Sequence, residues 1–292
     1  MKDYNKILKS DERAVFDLLD LYSRYGYSRF KSGKFEEYEL YARNRDFIGQ
    51  DAILTFTDSS GRLMALKPDV TLSIAKNSSD EPGVVNRFSY NDYVYRRSRE
   101  DRTFREINQT GIECIGDIGS YDICEVILLA VKSLETISSD YVLDISHMGI
   151  VRGLIRELAL SEENEDKVLK LIGDKNYPDV RRICELSGVS EEKTLKVFEL
   201  INTYGPIDKV LPELDKLACN NSMRRAVDEL KVIAALIDKE GYQSRVRFDF
   251  SVINDMGYYN GVTFLGYVRG ISAKLLSGGR YDNLMTKMGK KD

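Results

Sequence analysis

The spacing of apolar residues along the chain indicates a mixture of helices and strands. Val15, Leu18 and Tyr22 recur at the interval of three or four residues that is typical of an amphipathic helix. Residues 84–95 and 103–116 predict two antiparallel strands on either side of a basic loop. The first 160 residues predict, in order, a helix over 10–26, a hairpin over 53–66, a helix opening at 67–71, these two strands, a helix over 122–138 and a strand over 141–145.

The pattern changes between residues 161 and 240. Short helical segments there alternate with Gly and Pro punctuation, such as Tyr-Gly-Pro at 204–206, and no strand pattern appears. Strands are predicted to resume over 246–252, 257–268 and 271–277. We therefore predict an α+β fold in which one antiparallel sheet, flanked by helices, is interrupted by a helical insertion. The predicted domains are a discontinuous core of residues 1–160 and 241–292, and an insertion of residues 161–240.

Composition places the chain among ordinary globular proteins. Its 292 residues are 42% hydrophobic and 31% charged, enough for one large domain with a smaller insertion. No apolar stretch approaches the roughly 20 residues that span a bilayer. The first residues also lack the apolar core of a signal peptide. We expect a cytoplasmic protein without a membrane partner.

Cysteine and histidine usage disfavours several kinds of chemistry. The four cysteines are far apart and form no C-x-x-C pair, and His147 is the single histidine. A zinc site needs several closely spaced ligands, so we predict no metal and no cofactor. Ser-His-Asp or Cys-His catalysis is disfavoured too, unless His147 alone supplies the base. The net charge is −4, and the basic cluster at 96–105 is more typical of a solvated loop than of a nucleic-acid site.

A candidate site lies in the Gln-Thr-Gly-Ile-Glu sequence at 109–113. On a strand, Gln109, Gly111 and Glu113 share one face. Gly111 would leave space for a small ligand between two polar side chains that suit an ammonium group and an imidazole nitrogen. A solvent-facing strand with a glycine prone to bulging explains the same residues equally well.

Two further segments near the C-terminus carry weaker signals. Tyr258 and Tyr259 precede a small residue, although paired tyrosines in a strand usually serve packing. The Gly-Gly pair at 278–279 would let a ligand approach the backbone, with Arg280 placed to meet a phosphate or carboxylate. A Gly-Gly-Arg sequence alone is more often a turn.

Taken in order, these segments resemble the catalytic core of the class II histidyl-tRNA synthetases over about residues 10–284. Lys-Pro-Asp-Val-Thr at 67–71 is similar to the family's Arg-Pro-Glu-Gly-Thr, and residues 90–96 are similar to its Tyr-x-x-x-x-Phe-Arg strand. Residues 109–113 match Gln-x-Gly-x-Glu, residues 258–259 match Tyr-Tyr, and Arg280 matches the motif 3 arginine. The resemblance implies a histidine-binding site made by Asp69, Thr71, Arg96, Gln109, Glu113, Tyr258 and Tyr259.

The departures from the family pattern bear on catalysis. Asn254 stands where the family carries the arginine that stabilises charge on the α-phosphate, and Ser98 replaces a motif 2 glutamate. Asp69 is one methylene shorter than the family's glutamate. A synthetase would continue beyond this region with an anticodon-binding domain, whereas the sequence ends soon after residue 284, so we do not expect tRNA charging. Arg280 and Asn254 are therefore interpreted as a vestigial ATP site, with no catalytic residue.

This combination resembles the regulatory subunits of ATP phosphoribosyltransferase, which are relatives of the synthetases. The resemblance implies a non-catalytic protein that binds free histidine for feedback inhibition of the first step of histidine biosynthesis. It also implies a short-form catalytic subunit as partner, no tRNA, and a homodimer, built through the N-terminal helix and residues 35–41, within a hetero-oligomer. The alternative is a synthetase-like enzyme that forms histidyl adenylate, which the presence of Arg96 and Arg280 favours.

Overall fold

The computed structural model describes residues 8–48, 53–79, 81–98, 101–253 and 258–290. The chain divides into two compact units, residues 1–122 with 284–292, and residues 123–283. The first unit contains α1 (Ser10–Arg24), β1 (Ser28–Arg29), β2 (Phe35–Glu37), α2 (Tyr38–Arg43), α3 (Arg45–Ile48), β3 (Thr55–Thr57), β4 (Leu63–Leu66), α4 (Thr71–Asn77), β5 (Val85–Arg97) and β6 (Phe104–Gly116). The remaining elements are α5 (Ser120–Ile137), β7 (Tyr141–His147), α6 (Met148–Glu157), α7 (Glu162–Gly173), α8 (Tyr177–Leu186), α9 (Glu191–Asn202), β8 (Tyr204–Pro206), α10 (Ile207–Leu217), α11 (Asn221–Lys239), β9 (Val246–Asp249), β10 (Val262–Val268), β11 (Leu276–Gly279) and α12 (Asp282–Lys287).

The first unit is organised around the long hairpin of β5 and β6. The two strands pair antiparallel along their whole length, and β1 adds to β5 in parallel. Helix α1 packs on this hairpin and buries Leu18, Leu21 and Tyr22, which confirms the predicted amphipathic helix. Gly26 follows the helix with a φ of +81°, a left-handed conformation that suits glycine. A second small sheet, in the order β2-β4-β3, contains the predicted hairpin.

Helix α4 begins later than predicted. The helix expected to open at 67–71 starts at Thr71, and Pro68 precedes it. The Asp69 carboxylate accepts a hydrogen bond from the Leu72 N–H at 3.0 Å. This bond satisfies one of the free N–H groups of the first turn. Residues 67–70 therefore lie in an irregular segment before the helix.

The second unit contains a five-stranded sheet in the order β11-β10-β7-β9-β8. Its core includes Leu143, Ile145 and Phe248, whose side chains are fully buried. Strand β10 pairs antiparallel with both β7 and β11, whereas β7 and β9 are parallel. Helices α7 to α11 lie in the range predicted as the insertion. The boundaries 161–240 stay a prediction, since the compact units divide the chain at other residues.

Three details of the predicted strands are wrong. The described strands form three sheets and include two parallel pairs, not one antiparallel sheet. The range 161–240 is not free of strands, because β8 pairs with β9 at the sheet edge, where Pro206 is tolerated despite lacking an N–H. The last strands are also shorter or later than predicted, as the ranges of β9, β10 and β11 show.

Candidate functional site

A buried hydrogen bond joins Thr71, at the start of α4, to Glu113 on β6. The Thr71 hydroxyl donates to Glu113 Oε1 at 2.6 Å, and both side chains are only 8% exposed. Thr71 is placed by the start of α4, and Glu113 by the pairing of β6 with β5. The short bond to a carboxylate fixes the orientation of Glu113. The carboxylate is thereby held in place before any ligand arrives.

Asp69 and Arg96 form a second charged pair in the same unit. Arg96 Nε donates to the Pro68 carbonyl at 2.7 Å, and its Nη2 lies 3.6 Å from Asp69 Oδ2. Burial raises the pKa of Asp69, while the Arg96 charge and hydrogen bonds from Leu72 and Thr71 act in the opposite direction. A second cation near Asp69 would favour its ionised form. The arrangement thus suits an ammonium group.

Lys67 and Asp92 form a further ion pair in the same unit. The sequence analysis identified neither of them as a site residue. Lys67 is fully buried, and its Nζ donates to the Ser32 hydroxyl at 2.7 Å and to Asp92 Oδ2. Burial alone would raise the pKa of Asp92, but the bonds from Lys67 and the Tyr93 N–H lower it. No local pattern marks this pair in the sequence, because the two residues are 25 positions apart and meet only in the folded chain. The pair anchors the segment that carries Asp69.

The space predicted above Gly111 is occupied by the protein itself. Gly111 pairs with Tyr90 across the hairpin, and a Cβ on Gly111 would lie 2.7 Å from the Tyr90 hydroxyl oxygen. The prediction of an open space for a ligand at Gly111 is therefore wrong. Glycine is needed there because the hydroxyl end of the Tyr90 ring lies against the Gly111 backbone. The prediction that Gln109, Gly111 and Glu113 share a face is confirmed by the unbroken register, and Gln109 is partly exposed.

The second unit holds the aromatic residues of the candidate set. The rings of Tyr258 and Tyr259 meet edge to face with centroids 4.7 Å apart, and Tyr281 lies 5.5 Å from Tyr258. Gly279 allows this packing, because a Cβ there would lie 2.6 Å from Tyr259 Cδ1. The two C-terminal sequence signals are thus parts of one aromatic cluster within this unit.

Arg280 is interlocked with the segment that follows the tyrosines. Its aliphatic stem lies on Gly261, where a Cβ would come within 2.8 Å of Arg280 Cδ. Its Nε donates to both oxygens of Asp282, at 2.7 and 3.0 Å. Asn260 accepts a hydrogen bond from the Asp282 N–H at 3.1 Å. Arg280 is therefore held by a carboxylate of its own chain.

The candidate residues fall into two groups, one in each unit. Asp69, Thr71, Arg96, Gln109 and Glu113 belong to the first, and Tyr258, Tyr259 and Arg280 to the second. Asn254 lies outside the described residues. Within the described ranges, no group of three His, Cys, Asp or Glu residues could hold a metal ion. In the same part of the chain, no helix has the length and apolar character needed to cross a membrane.

The chain belongs to the histidyl-tRNA synthetase family, whose model matches residues 6–292. It is similar to a curated relative from Oceanobacillus iheyensis, "ATP phosphoribosyltransferase regulatory subunit", with 28% identity over 90% of this chain. The chain spans 65% of the length of that relative.

Solved structures agree with this family. An ATP phosphoribosyltransferase regulatory subunit/histidyl-tRNA synthetase from Bacillus halodurans superposes with a TM-score of 0.83 at 25% identity, over 100% of this chain and 77% of that one. A chain of the ATP phosphoribosyl transferase (HisG:HisZ) complex from Thermotoga maritima matches with a TM-score of 0.73 at 20% identity, over 96% of this chain and 93% of that one. The latter shows the fold alone. The predicted class II synthetase-like α+β fold is confirmed.

Proposed function

We propose that the chain is a non-catalytic regulatory subunit of ATP phosphoribosyltransferase that binds free histidine for feedback inhibition. The observation that carries the proposal is the buried Glu113 carboxylate, oriented by Thr71 at the position where the family contacts the imidazole. The similarity to the regulatory subunit from Oceanobacillus iheyensis supports it. A cytoplasmic location, expected from the sequence, is part of the same proposal.

Each part of histidine has a proposed partner. Asp69 and Gln109 would accept hydrogen bonds from the ammonium group, and Arg96 would bind the carboxylate. Glu113 would accept from an imidazole N–H, with Thr71 fixing its orientation. Tyr258 and Tyr259 keep the role that the family resemblance gives them, aromatic contact with the imidazole.

The proposed loss of catalysis rests on two substitutions in the sequence. Asn254 replaces the arginine that the family uses at the α-phosphate, and the loss of one such group typically costs about 10² in rate. Ser98 changes the motif 2 region as well. Arg280 is retained, and within the described residues its Nη atoms donate no hydrogen bond to the protein. This last observation favours the second candidate, an enzyme that forms histidyl adenylate.

A reconstitution experiment tests the proposal. The purified chain, mixed with a short-form catalytic subunit, is expected to co-elute with it in gel filtration. Histidine should then lower the rate of phosphoribosyl-ATP formation, because ligand binding shifts the assembly toward an inhibited state. Leucine at the same concentration is the control and should not inhibit. Absence of co-elution, or equal rates with and without histidine, would contradict the proposal, and histidine-dependent ATP–pyrophosphate exchange would establish the enzyme instead.

The proposed homodimer is supported by an exposed apolar surface in the first unit. Phe35 of β2 is 52% exposed and Leu63 of β4 is 48% exposed, and the Phe35 and Phe56 rings lie 5.1 Å apart. Phe16 on α1 is exposed as well. Aromatic and aliphatic side chains left in solvent at a sheet mark an interaction surface. We assign this surface, with α1 and residues 35–41, to contact with a second copy.

Phe35→Glu is expected to raise the dimer dissociation constant at least about tenfold, since a buried carboxylate would have no partner in the interface. Light scattering coupled to gel filtration over a concentration series measures the change. Leu186→Glu, at an apolar position on α8 that is 80% exposed, is the control and should stay dimeric. A wild-type chain that is monomeric at every concentration would refute the assignment.

A further inference from the structure

A buried polar pair lies in the second unit, outside the candidate residues. His147 is 6% exposed, and its Nδ1 accepts a hydrogen bond from the Gly149 N–H at 3.0 Å. Because Nδ1 is an acceptor, the ring proton resides on Nε2. That Nε2 lies 3.3 Å from Glu229 Oε1 on α11. Neither atom makes a well-aligned hydrogen bond, although both are buried.

The backbone connects this pair with Arg280. His147 is paired with Val262 in the register of β7 and β10, and the Arg280 N–H donates to the Val262 carbonyl at 2.8 Å. The next residue, Met148, donates its N–H to the Gly261 carbonyl at 2.8 Å. Gly261 is the residue on which the Arg280 stem lies. His147, Glu229 and Arg280 are thus packed around one end of the same strand pair.

The charges around Arg280 do not favour a polyanion. Burial would raise the pKa of Glu229, but the contact with His147 and the charge of Arg280 lower it, so Glu229 is ionised at neutral pH. Asp282 pairs directly with Arg280 Nε, and Glu229 lies near enough for the charge of Arg280 to lower its pKa, so these three side chains together carry a net negative charge. A nucleotide or pyrophosphate would be repelled, whereas an amino-acid zwitterion carries no net charge.

We propose that Glu229 determines ligand specificity by lowering the affinity of the Arg280 region for phosphates. His147 acts as a positioning residue, since its Nε2 faces the Glu229 carboxylate from a ring fixed by Gly149. The proposal rests on the proposed non-catalytic function. It adds Glu229 to the change at Asn254 as a second residue that disfavours nucleotide binding. Arginine alone would be a good phosphate ligand. The carboxylate of Glu229 removes that advantage.

The test uses pyrophosphate as the probe in titration calorimetry of the full chain. Glu229→Gln keeps the shape of the side chain and removes its charge, so pyrophosphate affinity should rise about tenfold at low salt and less at high salt. The matched control is Asp228→Asn, the same change of charge at the adjacent, exposed position of α11, and it should leave the affinity unchanged. Adding Arg280→Gln to Glu229→Gln should abolish the gain.

Two results would overturn the proposal: equal pyrophosphate affinities in wild type and Glu229→Gln, or a gain that persists without Arg280. Far-UV circular dichroism checks that the variants are folded. If Glu229→Gln does not fold, the single variant Arg280→Gln is the test. The proposal expects it to lower pyrophosphate affinity less than threefold, because carboxylates already balance the charge of Arg280. A larger loss of affinity refutes the proposal. Titration of the wild type with histidine tests the proposed sensor function independently. A missing histidine signal together with a gain in Glu229→Gln would reject the proposed sensor function and retain this inference.

Discussion

Replacing Glu113 with glutamine is expected to weaken histidine binding about 100-fold, the effect of losing a charged hydrogen bond in a buried site. The carboxylate is 8% exposed and is oriented by the Thr71 hydroxyl at 2.6 Å. Glutamine fills the same volume, but it loses the negative charge and presents one amide donor. Because the Thr71 hydroxyl donates, the amide oxygen is expected to accept from it, which leaves the amide NH2 group, a donor, facing the imidazole N–H.

Titration calorimetry of both proteins with free histidine measures this difference. Glu106→Gln is the matched control: it lies on the same strand but on the opposite face, where Glu106 accepts a hydrogen bond from the exposed Tyr95 hydroxyl at 2.7 Å. Its affinity should stay within about twofold of wild type. Equal affinity of Glu113→Gln and wild type would show that histidine, if it binds, does not use this carboxylate.

Local sequence signals predicted most of the fold because they are tied to local geometry. The pair β5 and β6 was found with errors of one or two residues, since both strands are long and flank an obvious loop. Strand β8 was missed because Tyr-Gly-Pro at 204–206 has the composition of a turn. Its strand character comes from pairing with β9, which is about 40 residues away in the chain and leaves no local signal. Pairing between distant segments decides such cases.

The candidate site was predictable to the extent that residue type alone defines its chemistry. Gln109 and Glu113 were placed on one face by strand alternation, and the register confirms this. The role of Gly111 was misjudged, because only the three-dimensional structure shows that the Tyr90 side chain lies on it. The same holds for Glu229, a single glutamate on an amphipathic helix whose proximity to His147 has no trace in the sequence.

Lys67 illustrates a residue whose importance follows from burial instead of from a direct role in binding. It is fully buried and donates to Ser32 and Asp92, and its own backbone carbonyl accepts from the Tyr95 N–H at 2.9 Å. Asp92 is 17% exposed, so it depends on this cation for compensation of its charge. Removing one partner of a buried ion pair leaves the other uncompensated, which typically costs about 3 kcal/mol or more.

Lys67→Met is accordingly expected to lower the free energy of unfolding by about 3 kcal/mol at pH 7, measured by urea denaturation. Adding Asp92→Asn should recover part of the loss, because the amide carries no charge to be compensated. Lys34→Met, at an exposed lysine of the same unit, is the control and should change stability by less than about 0.5 kcal/mol. A double variant less stable than Lys67→Met would contradict the ion-pair explanation.

The pH dependence of the same variant gives an independent check. In the wild type the pKa of Asp92 is lowered on folding, so its contribution to stability is present above the unfolded pKa and is lost as the pH falls through the folded value. Without Lys67, only the hydrogen bonds from the Tyr93 N–H and the Ser32 hydroxyl oppose the effect of burial, so the pKa of Asp92 is higher than in the wild type and protonation relieves the penalty on acidification. The difference between wild type and Lys67→Met should therefore shrink as the pH is lowered from 7 toward 4. A difference that stays constant over this range would mean that lost packing, and not the charge of Asp92, causes the destabilisation.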